Sequence, residues 1–397
     1  MTKSKKLGWG FLTVIKVGPG CRSLVPQTFA DQGCQRVALI TDKGLIEAGV
    51  VEKVREAFEG QDVQIAGTFD NVRQDNDTRD ISECARWYRE VGADGLLAVG
   101  GGSVLDTAKC VKVLLGMKVD DITDLMTGHI TFYKRPNAQP LGIPHISLPT
   151  TAGTGADVSA SSALFDAKSK KKLIFFHAYM GSDFAFLDPE LTVTLPPKLT
   201  AEPAFDSLSH SIESFFSTRA NSMADAFALR SARLVYQNLP VAVENGNDID
   251  ARAELQTASA MSVMASVSAL GCNPIHNFAD AIGPLFGVSH GLANAVYLPI
   301  VMKNLPSHYR PRIKEFAQGL DIPIDSNDDD QQILDRVISE FISLQEKCGI
   351  PARLAIEIER DRLDDLKAAV KEDPAAAGFP LPDDVIIACL EESMTIK

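Results

Sequence analysis

The chain has 397 residues, of which 45% are hydrophobic and 23% are charged, and its formal net charge is -13. This length predicts two domains of ~100–200 residues each, and the acidic balance argues against nucleic acid or an anionic membrane as a partner. The seven cysteines form no CxxC pair and no run approaches the ~18–20 apolar residues of a membrane-spanning helix, so we expect reduced thiols and a cytoplasmic location.

The first half of the chain alternates short apolar runs with segments of helical periodicity. Strands are predicted at residues 36–41, 62–68, 94–99, 143–148 and 184–188. The helices between them are predicted at residues 45–58, 81–92 and 104–115. Such alternation is typical of an α/β domain, in which helices cover a parallel sheet.

Helical periodicity dominates the second half of the chain, and β-branched runs disappear there. Helices are predicted at residues 200–217, 222–238 and 250–270, and Thr200 is the expected N-cap of the first. The acidic residues 328–330 are expected to lie in a solvated loop between helices. The sequence thus predicts a nucleotide-binding α/β domain over residues 1–189 and an all-helical domain over residues 190–397.

Two loops that follow predicted strands are rich in glycine or in hydroxyl side chains. Residues 100–109 read GGGSVLDTAK, and residues 149–155 read PTTAGTG. A strand that ends in glycines and opens a helix lets backbone N–H groups and the helix N-terminus approach a phosphate. The spacing is not the GxGxxG fingerprint, and a plain turn explains either loop taken alone. The two loops together favour a polar ligand.

Asp42 directly follows the predicted strand 36–41. A carboxylate at the end of such a strand can accept hydrogen bonds from a ribose 2′-OH and repel a 2′-phosphate, which would favour NAD over NADP. Helix N-capping is an equally simple role for this side chain, because helical periodicity begins just after it.

A carboxylate and three imidazoles in the helical half suggest a metal site. Asp206 and His210 are four residues apart in a predicted helix and therefore share one face, while His276 and His290 follow later. Asp and His ligands suit Fe(II), Zn(II) or Mn(II). A surface Asp–His pair and loop histidines remain the alternatives at this level, because spacing alone does not bring the four together.

Five segments in register resemble the iron-containing (group III) alcohol dehydrogenases, over roughly residues 10–300. The segments are GGGSVLDTAK, PTTAGTGADV, DPELTVTLPP, FDSLSHSIESF and VSHGLANAVYLP. The resemblance implies an N-terminal α/β domain that binds a dinucleotide and a C-terminal all-α domain that binds a divalent metal, with catalysis in the cleft between them.

The resemblance also assigns individual residues. It implies that the metal ligands are Asp206, His210, His276 and His290. It implies that the cofactor-binding residues are Asp42, Gly101, Gly102, Ser103, Asp106, Thr150, Thr151 and Lys172.

One position departs from the family pattern. Members commonly carry a second histidine four residues after the third ligand, and here that position is Asp280. Asp280 is therefore a candidate for proton relay in place of the imidazole. Together with Asn273 and Asn277 it predicts a polar pocket, which favours a short substrate with a second polar group such as a diol, a hydroxyacid or a sulfonate.

The implied activity is reversible hydride transfer between a small primary alcohol and NAD(H), with Fe(II) as the first expected cation and Zn(II) or Mn(II) as alternatives. A homo-oligomer is expected, with a small alcohol or aldehyde as the only other partner. A zinc-dependent polyol oxidoreductase resembling glycerol dehydrogenase, a non-redox lyase resembling dehydroquinate synthase and a non-catalytic NAD-binding module remain alternatives.

Overall fold

The computed structural model describes residues 11–73, 76–166, 168, 171–269, 274–373, 376 and 378–397. Its strands are β1 (Val14–Val17), β2 (Arg36–Ile40), β3 (Gln64–Phe69), β4 (Gly95–Gly100), β5 (Ile130–Tyr133), β6 (His145–Pro149), β7 (Ser161–Asp166), β8 (Lys171–His177), β9 (Phe184–Leu187), β10 (Glu357–Ile358) and β11 (Thr395–Ile396).

The α-helices of the first half are α1 (Val25–Asp31), α2 (Lys43–Glu47), α3 (Val50–Glu56), α4 (Thr78–Val91) and α5 (Gly102–Met117). Those of the second half are α6 (Pro197–Phe216), α7 (Ser222–Glu244), α8 (Ile249–Ala269), α9 (His276–Phe286), α10 (His290–Asn304), α11 (Pro306–Tyr309), α12 (Ile313–Gly319), α13 (Asp330–Lys347), α14 (Leu363–Glu372) and α15 (Asp383–Ser393).

The main sheet has the strand order β1-β9-β6-β4-β2-β3, and its neighbouring strands all pair in parallel. Every residue of the central strand β4 is buried, as expected for a parallel strand that has helices on both faces. The predicted α/β class is therefore confirmed. Because neighbouring strands run in the same direction, the loops after β2, β4 and β6 open at one common edge.

A second sheet was not predicted. Strands β5, β8 and β7 form a three-stranded sheet in which β7 pairs antiparallel with β8. The predicted helix 45–58 is also interrupted, because Gly49 adopts the left-handed conformation (φ 72°) between α2 and α3. A left-handed residue ends one helix and lets the chain turn into the next, which glycine does at little steric cost.

The helical half is built around a core that includes α6, α7 and α8, with buried residues from Ala201 to Met394. The prediction that Thr200 caps α6 is wrong. Pro196 is the N-cap and Pro197 the first helical residue, and proline is favoured at this position because it has no N–H to satisfy. The Thr200 hydroxyl instead donates to the carbonyl of Pro196, 3.2 Å away.

The prediction that residues 328–330 lie in a loop between helices is only partly right, because this stretch includes the start of α13. Asp329 is the N-cap of α13, and it forms a capping box with Gln332. The carboxylate accepts N–H groups that the first turn of a helix leaves unpaired, which explains why acidic residues gather here. Asp328 precedes this N-cap, and its side chain pairs with Arg336 at 3.0 Å.

The two halves pack against each other. A small apolar cluster joins Ala185 and Leu187 of β9 to Ala260, Val263 and Met264 of α8. The division at residue 189 remains a prediction; the core residues of the main sheet extend to Leu191, and those of the helical half begin at Ala201. Among the described helices, none is both long and apolar enough to cross a bilayer.

Candidate active site

Three helices bring the predicted metal ligands together. Helix α6 carries Asp206 and His210 on one face, while His276 and His290 are the first residues of α9 and α10. Asp206 Oδ1 lies 3.2 Å from Nε2 of His276, 3.4 Å from Nε2 of His290 and 3.9 Å from Nδ1 of His210.

This arrangement fits one divalent cation. Ligand atoms that bind a cation tetrahedrally at ~2.0–2.1 Å lie roughly 3.4 Å apart, close to the separations around Asp206 Oδ1. The donor atoms of Asp206, His276 and His290 all lie within 4.8 Å of one another. His210 lies farther from Asp206 Oδ1 than the other two histidines do. Its Nδ1 is buried without a hydrogen-bond partner among the described residues. A buried polar atom of this kind favours a ligand.

The electrostatics of the cluster are dominated by burial and by mutual charge. Burial alone would raise the pKa of Asp206, but the neighbouring His210, His290 and His276 hold it well below its ordinary value. Burial lowers the pKa of His210 to about 4, so its imidazole is neutral near neutral pH. An ionised carboxylate beside a neutral imidazole is the protonation state that metal binding requires. His276 differs: burial would lower its pKa, but Glu213 and Asp206 hold the pKa well above its ordinary value, so a cation would have to displace a proton from this ring.

Asn294, one turn after His290 in α10, also reaches the cluster. Its Nδ2 donates to Asp206 Oδ1 at 2.9 Å and lies 3.1 Å from Nε2 of His290. Asn294 was not predicted from the sequence, although its position four residues after a predicted ligand places both on one helical face. Asn294 is buried and fixes the orientation of the Asp206 carboxylate.

Glu213 is a further residue that sequence reasoning missed. Its side chain is 1% exposed and accepts a hydrogen bond from His276 Nδ1 at 2.5 Å. It follows Asp206 by seven residues and His210 by three, so all three share one face of α6. This spacing could have predicted its place in the site, because it puts a carboxylate on the same helical face as two predicted ligands.

Asp280 and Lys172 meet at the cluster from opposite halves of the chain. Lys172, on β8, forms an ion pair with Oδ1 of Asp280, which lies one turn after His276 in α9. The same oxygen is 3.3 Å from Nδ1 of His290. Burial opposes ionisation of Asp280, but Lys172 and His290 hold its pKa below the ordinary value. The predicted proton-relay residue thus contacts a predicted cofactor residue.

The predicted polar pocket is only partly present. Asn277 is fully buried, and its Nδ2 donates to the carbonyl of Phe379 at 3.0 Å. The prediction that Asn277 lines a substrate pocket is therefore wrong, because the side chain packs inside the helical core. Asn273 lies outside the described residues.

The two predicted cofactor loops lie side by side after β4 and β6. Gly101 is the N-cap of α5, and Gly102 and Ser103 are the first two residues of that helix. A Cβ on Gly101 would lie 3.3 Å from the Thr151 hydroxyl, and one on Gly102 would lie 2.9 Å from Thr154. These glycines therefore allow the loops to approach closely and leave the N-terminus of α5 open to an anion. Thr150 is buried, and its N–H donates to Gly100 at 3.0 Å.

Asp42 and Asp106 have partners within the protein. Asp42 is the N-cap of α2, and its Oδ1 accepts from the N–H of Leu45 at 3.0 Å; this confirms the capping role. Asp106 pairs with the buried Lys109 at 2.7 Å and accepts from the N–H of Ala163 at 3.2 Å. The cofactor roles of both residues remain predictions. Asp42 lies at the same sheet edge as the two cofactor loops, whereas the contacts of Asp106 connect α5 to β7.

Comparison with known proteins gives consistent matches along the chain. The family profile described as iron-containing alcohol dehydrogenase matches residues 13–189, and the profile for the C-terminal part of the Fe-containing alcohol dehydrogenase family matches residues 200–383.

Individual relatives cover most of the chain. A 4-hydroxybutyrate dehydrogenase of Cupriavidus necator is 34% identical over 303 residues, which are 74% of this chain and 75% of the relative. Long-chain-alcohol dehydrogenase 1 of Geobacillus thermodenitrificans is 31% identical over 383 residues, 95% and 91% of the two chains. The crystal structure of a 1,3-propanediol oxidoreductase superposes with a TM-score of 0.86 at 25% identity, covering 98% of this chain and all of the other.

Proposed function

Because the chain belongs to the iron-containing alcohol dehydrogenase family, and is thus an oxidoreductase of alcohols, we propose that it interconverts a small primary alcohol and its aldehyde with NAD(H). The observation on which this proposal chiefly depends is that the donor atoms of Asp206, His276 and His290 lie within 4.8 Å of one another, where α6, α9 and α10 meet. The family membership also argues against the lyase and the non-catalytic alternatives.

Two groups supply chemistry that the chain lacks. A divalent cation, Fe(II) first and Zn(II) or Mn(II) as alternatives, supplies Lewis acidity toward the substrate oxygen, while NAD(H) accepts or donates the hydride. We propose that Asp206, His210, His276 and His290 hold the cation. The cofactor-binding set that we propose is Asp42, Gly101, Gly102, Ser103, Asp106, Thr150, Thr151 and Lys172.

The chain itself provides binding, orientation and a path for the proton. The open N-terminus of α5 suits the pyrophosphate, and Asp42 at the end of β2 suits the ribose of NAD. We propose that Asp280 Oδ1, held between Lys172 and His290, passes the proton of the alcohol to solvent. Its side chain is 15% exposed, which allows contact with water. Because Lys172 and His290 hold the pKa of Asp280 low, the carboxylate would pass a proton on to water and would not retain it.

The substrate is expected to be a short alcohol with a second polar group. Support comes from the Lys172–Asp280 ion pair, which places polar groups beside the cluster even though Asn277 does not line a pocket there. A homo-oligomeric state and a cytoplasmic location are parts of the same proposal, and light scattering of the purified chain would test the first of them.

The test is an activity assay on protein stripped with a chelator and reloaded anaerobically with Fe(II) or Zn(II). We expect metal-dependent formation of NADH, followed by its near-ultraviolet absorbance, with a panel of short alcohols, diols and hydroxyacids. His290→Ala should lose both bound metal and turnover, because it removes a ligand of the cluster. His129→Ala changes an exposed histidine in the α/β half and serves as the control.

Two outcomes would contradict the proposal. Metal-free protein that is as active as the reloaded protein would exclude a cation from the reaction. His290→Ala protein that keeps full metal content and turnover would exclude the assigned cluster.

A further inference from the structure

Glu213 is a buried carboxylate that lies beside the cluster without facing its centre. It is on the same face of α6 as Asp206 and His210, and its side chain is 1% exposed. Burying an ionised carboxylate is costly unless several hydrogen bonds compensate for the lost water. Its partners therefore indicate what the residue does.

Three N–H groups at the beginning of α9 converge on Glu213. Oε1 accepts from the backbone N–H of Ile275 at 2.6 Å and of His276 at 2.9 Å, and Oε2 accepts from Nδ1 of His276 at 2.5 Å. Ile275, the N-cap of α9, provides no side-chain cap of its own. The carboxylate thus satisfies N–H groups that the helix leaves unpaired and also holds the first imidazole.

The bond to Nδ1 decides which imidazole nitrogen can bind a metal. A carboxylate accepts but does not donate, so the proton of the neutral His276 ring is held on Nδ1. Nε2 lies 3.2 Å from Asp206 Oδ1 and donates to that carboxylate as long as no cation is bound. A cation would take the place of the proton on Nε2, and the bond to Glu213 would keep the other proton on Nδ1. A neutral ring with its proton on Nε2 could not act as a ligand through that nitrogen.

We propose that Glu213 is the positioning residue of the cluster, which fixes both the tautomer and the orientation of His276 for metal binding. The proposal rests on the proposed function, because it assumes that the cluster holds a cation. The second carboxylate of this kind, Asp280 on Nδ1 of His290, is shared with Lys172, whereas each described partner of Glu213 belongs to the start of α9. Carboxylate partners of metal-bound histidines typically contribute a factor of ~10–100 in metal affinity.

The test is the metal affinity of Glu213→Gln, measured by competition with a chromophoric chelator for Zn(II). Glutamine keeps the size of the side chain and one oxygen for the backbone N–H groups. It places an NH₂ donor opposite Nδ1, which favours the tautomer with the proton on Nε2. We expect the dissociation constant of Zn(II) to rise by a factor of ~10–100, with partial recovery in Glu213→Asp, which keeps the charge.

The control is Asp80→Asn, which neutralises another fully buried carboxylate that accepts a backbone N–H, that of Arg73, in the α/β half. Its Zn(II) affinity should equal that of the wild type. Circular dichroism and thermal unfolding of the metal-free variants establish that each is folded. Zn(II) affinity of folded Glu213→Gln within a factor of two of the wild type would overturn the proposal and leave Glu213 a helix cap.

A measurement on the unchanged protein does not depend on the folding of any variant. In ¹⁵N-histidine-labelled protein loaded with Zn(II), His276 should show a protonated Nδ1 and a metal-bound Nε2 in long-range ¹H–¹⁵N spectra. Binding through Nδ1 would overturn the inference. Wild-type protein that binds neither Zn(II) nor Co(II) would overturn this proposal and the proposed function together, whereas normal binding with an unaffected Glu213→Gln contradicts the positioning role alone.

Discussion

Asp42 shows how one residue can serve two roles at the scale of a single side chain. Its Oδ1 caps α2, and its position at the end of β2 places it at the sheet edge where the loops after β4 and β6 also open. The capping role and the cofactor role do not exclude each other, because one carboxylate has several lone pairs. A variant that keeps the cap but removes the charge can therefore separate the two.

Asp42→Asn should shift cofactor preference toward NADP without loss of stability. Asparagine caps helices about as well as aspartate, but it no longer repels a 2′-phosphate. We expect the ratio of kcat/KM for NADP to that for NAD to rise by about tenfold, equivalent to about 1.4 kcal/mol. Steady-state kinetics with both cofactors measure the ratio.

The matched variant Asp42→Ala removes both the charge and the cap, and should in addition lose about 1 kcal/mol of unfolding free energy. An unchanged cofactor ratio in Asp42→Asn would assign the residue to helix capping alone.

At the scale of secondary-structure elements, two glycines allow neighbouring segments to pack closely against α6. An added Cβ on Gly153, in the loop after β6, would lie 2.5 Å from Pro203 Cβ and 2.6 Å from its carbonyl oxygen. An added Cβ on Gly291, in the first turn of α10, would lie 2.5 Å from the carbonyl oxygen of Glu202. Both glycines therefore let neighbouring elements approach α6 one turn before Asp206.

Gly153→Ala should destabilise the protein by ~1–3 kcal/mol, because the new methyl group meets backbone atoms that cannot move aside. Denaturant unfolding monitored by circular dichroism measures the loss. Gly128→Ala is the control, since an added Cβ there meets nothing within 4 Å. Equal stability of both variants would show that the loop moves freely away from α6.

At the scale of the whole molecule, the cluster connects elements that are distant in sequence. Its residues come from α6, α9 and α10, and the Lys172–Asp280 ion pair links it to β8 in the other half of the chain. A cation that binds only when these elements are packed together stabilises the folded state over the unfolded one.

Removal of the metal should therefore lower the midpoint of thermal unfolding. At a free Zn(II) concentration of about 1,000 times its dissociation constant, binding adds about 4 kcal/mol to the free energy of unfolding. Scanning calorimetry with Zn(II) and with excess chelator measures the difference. Asp206→Asn, which loses the carboxylate shared by the cluster, should show the same midpoint in both conditions. A wild-type midpoint that does not respond to the chelator would contradict the assignment of a tightly bound cation.

Sequence alone determined those features that depend on short-range order. The alternation of apolar runs and helical periodicity predicted the α/β half and the helical half, since such periods reflect which face of each element is buried. Asp206 and His210 could be paired because four residues make about one helical turn. The position of Asp42 at the end of a strand and the glycine loop after β4 could also be predicted, because each directly follows an apolar run in the sequence.

Only the tertiary structure decided the contacts between elements. Nothing local places His276 and His290 beside Asp206, aligns Glu213 with Nδ1 of His276, or pairs Lys172 with Asp280. The sheet of β5, β8 and β7 was also missed; β7 and β8 are neighbours in sequence, but the pairing of β5 with β8 joins distant segments. Asn277 was wrongly assigned to the pocket because the periodicity of a helix does not show which other segment of the chain packs against each side chain. These contacts depend on how helices and strands pack, and packing is a property of the whole folded chain that no short window of sequence contains.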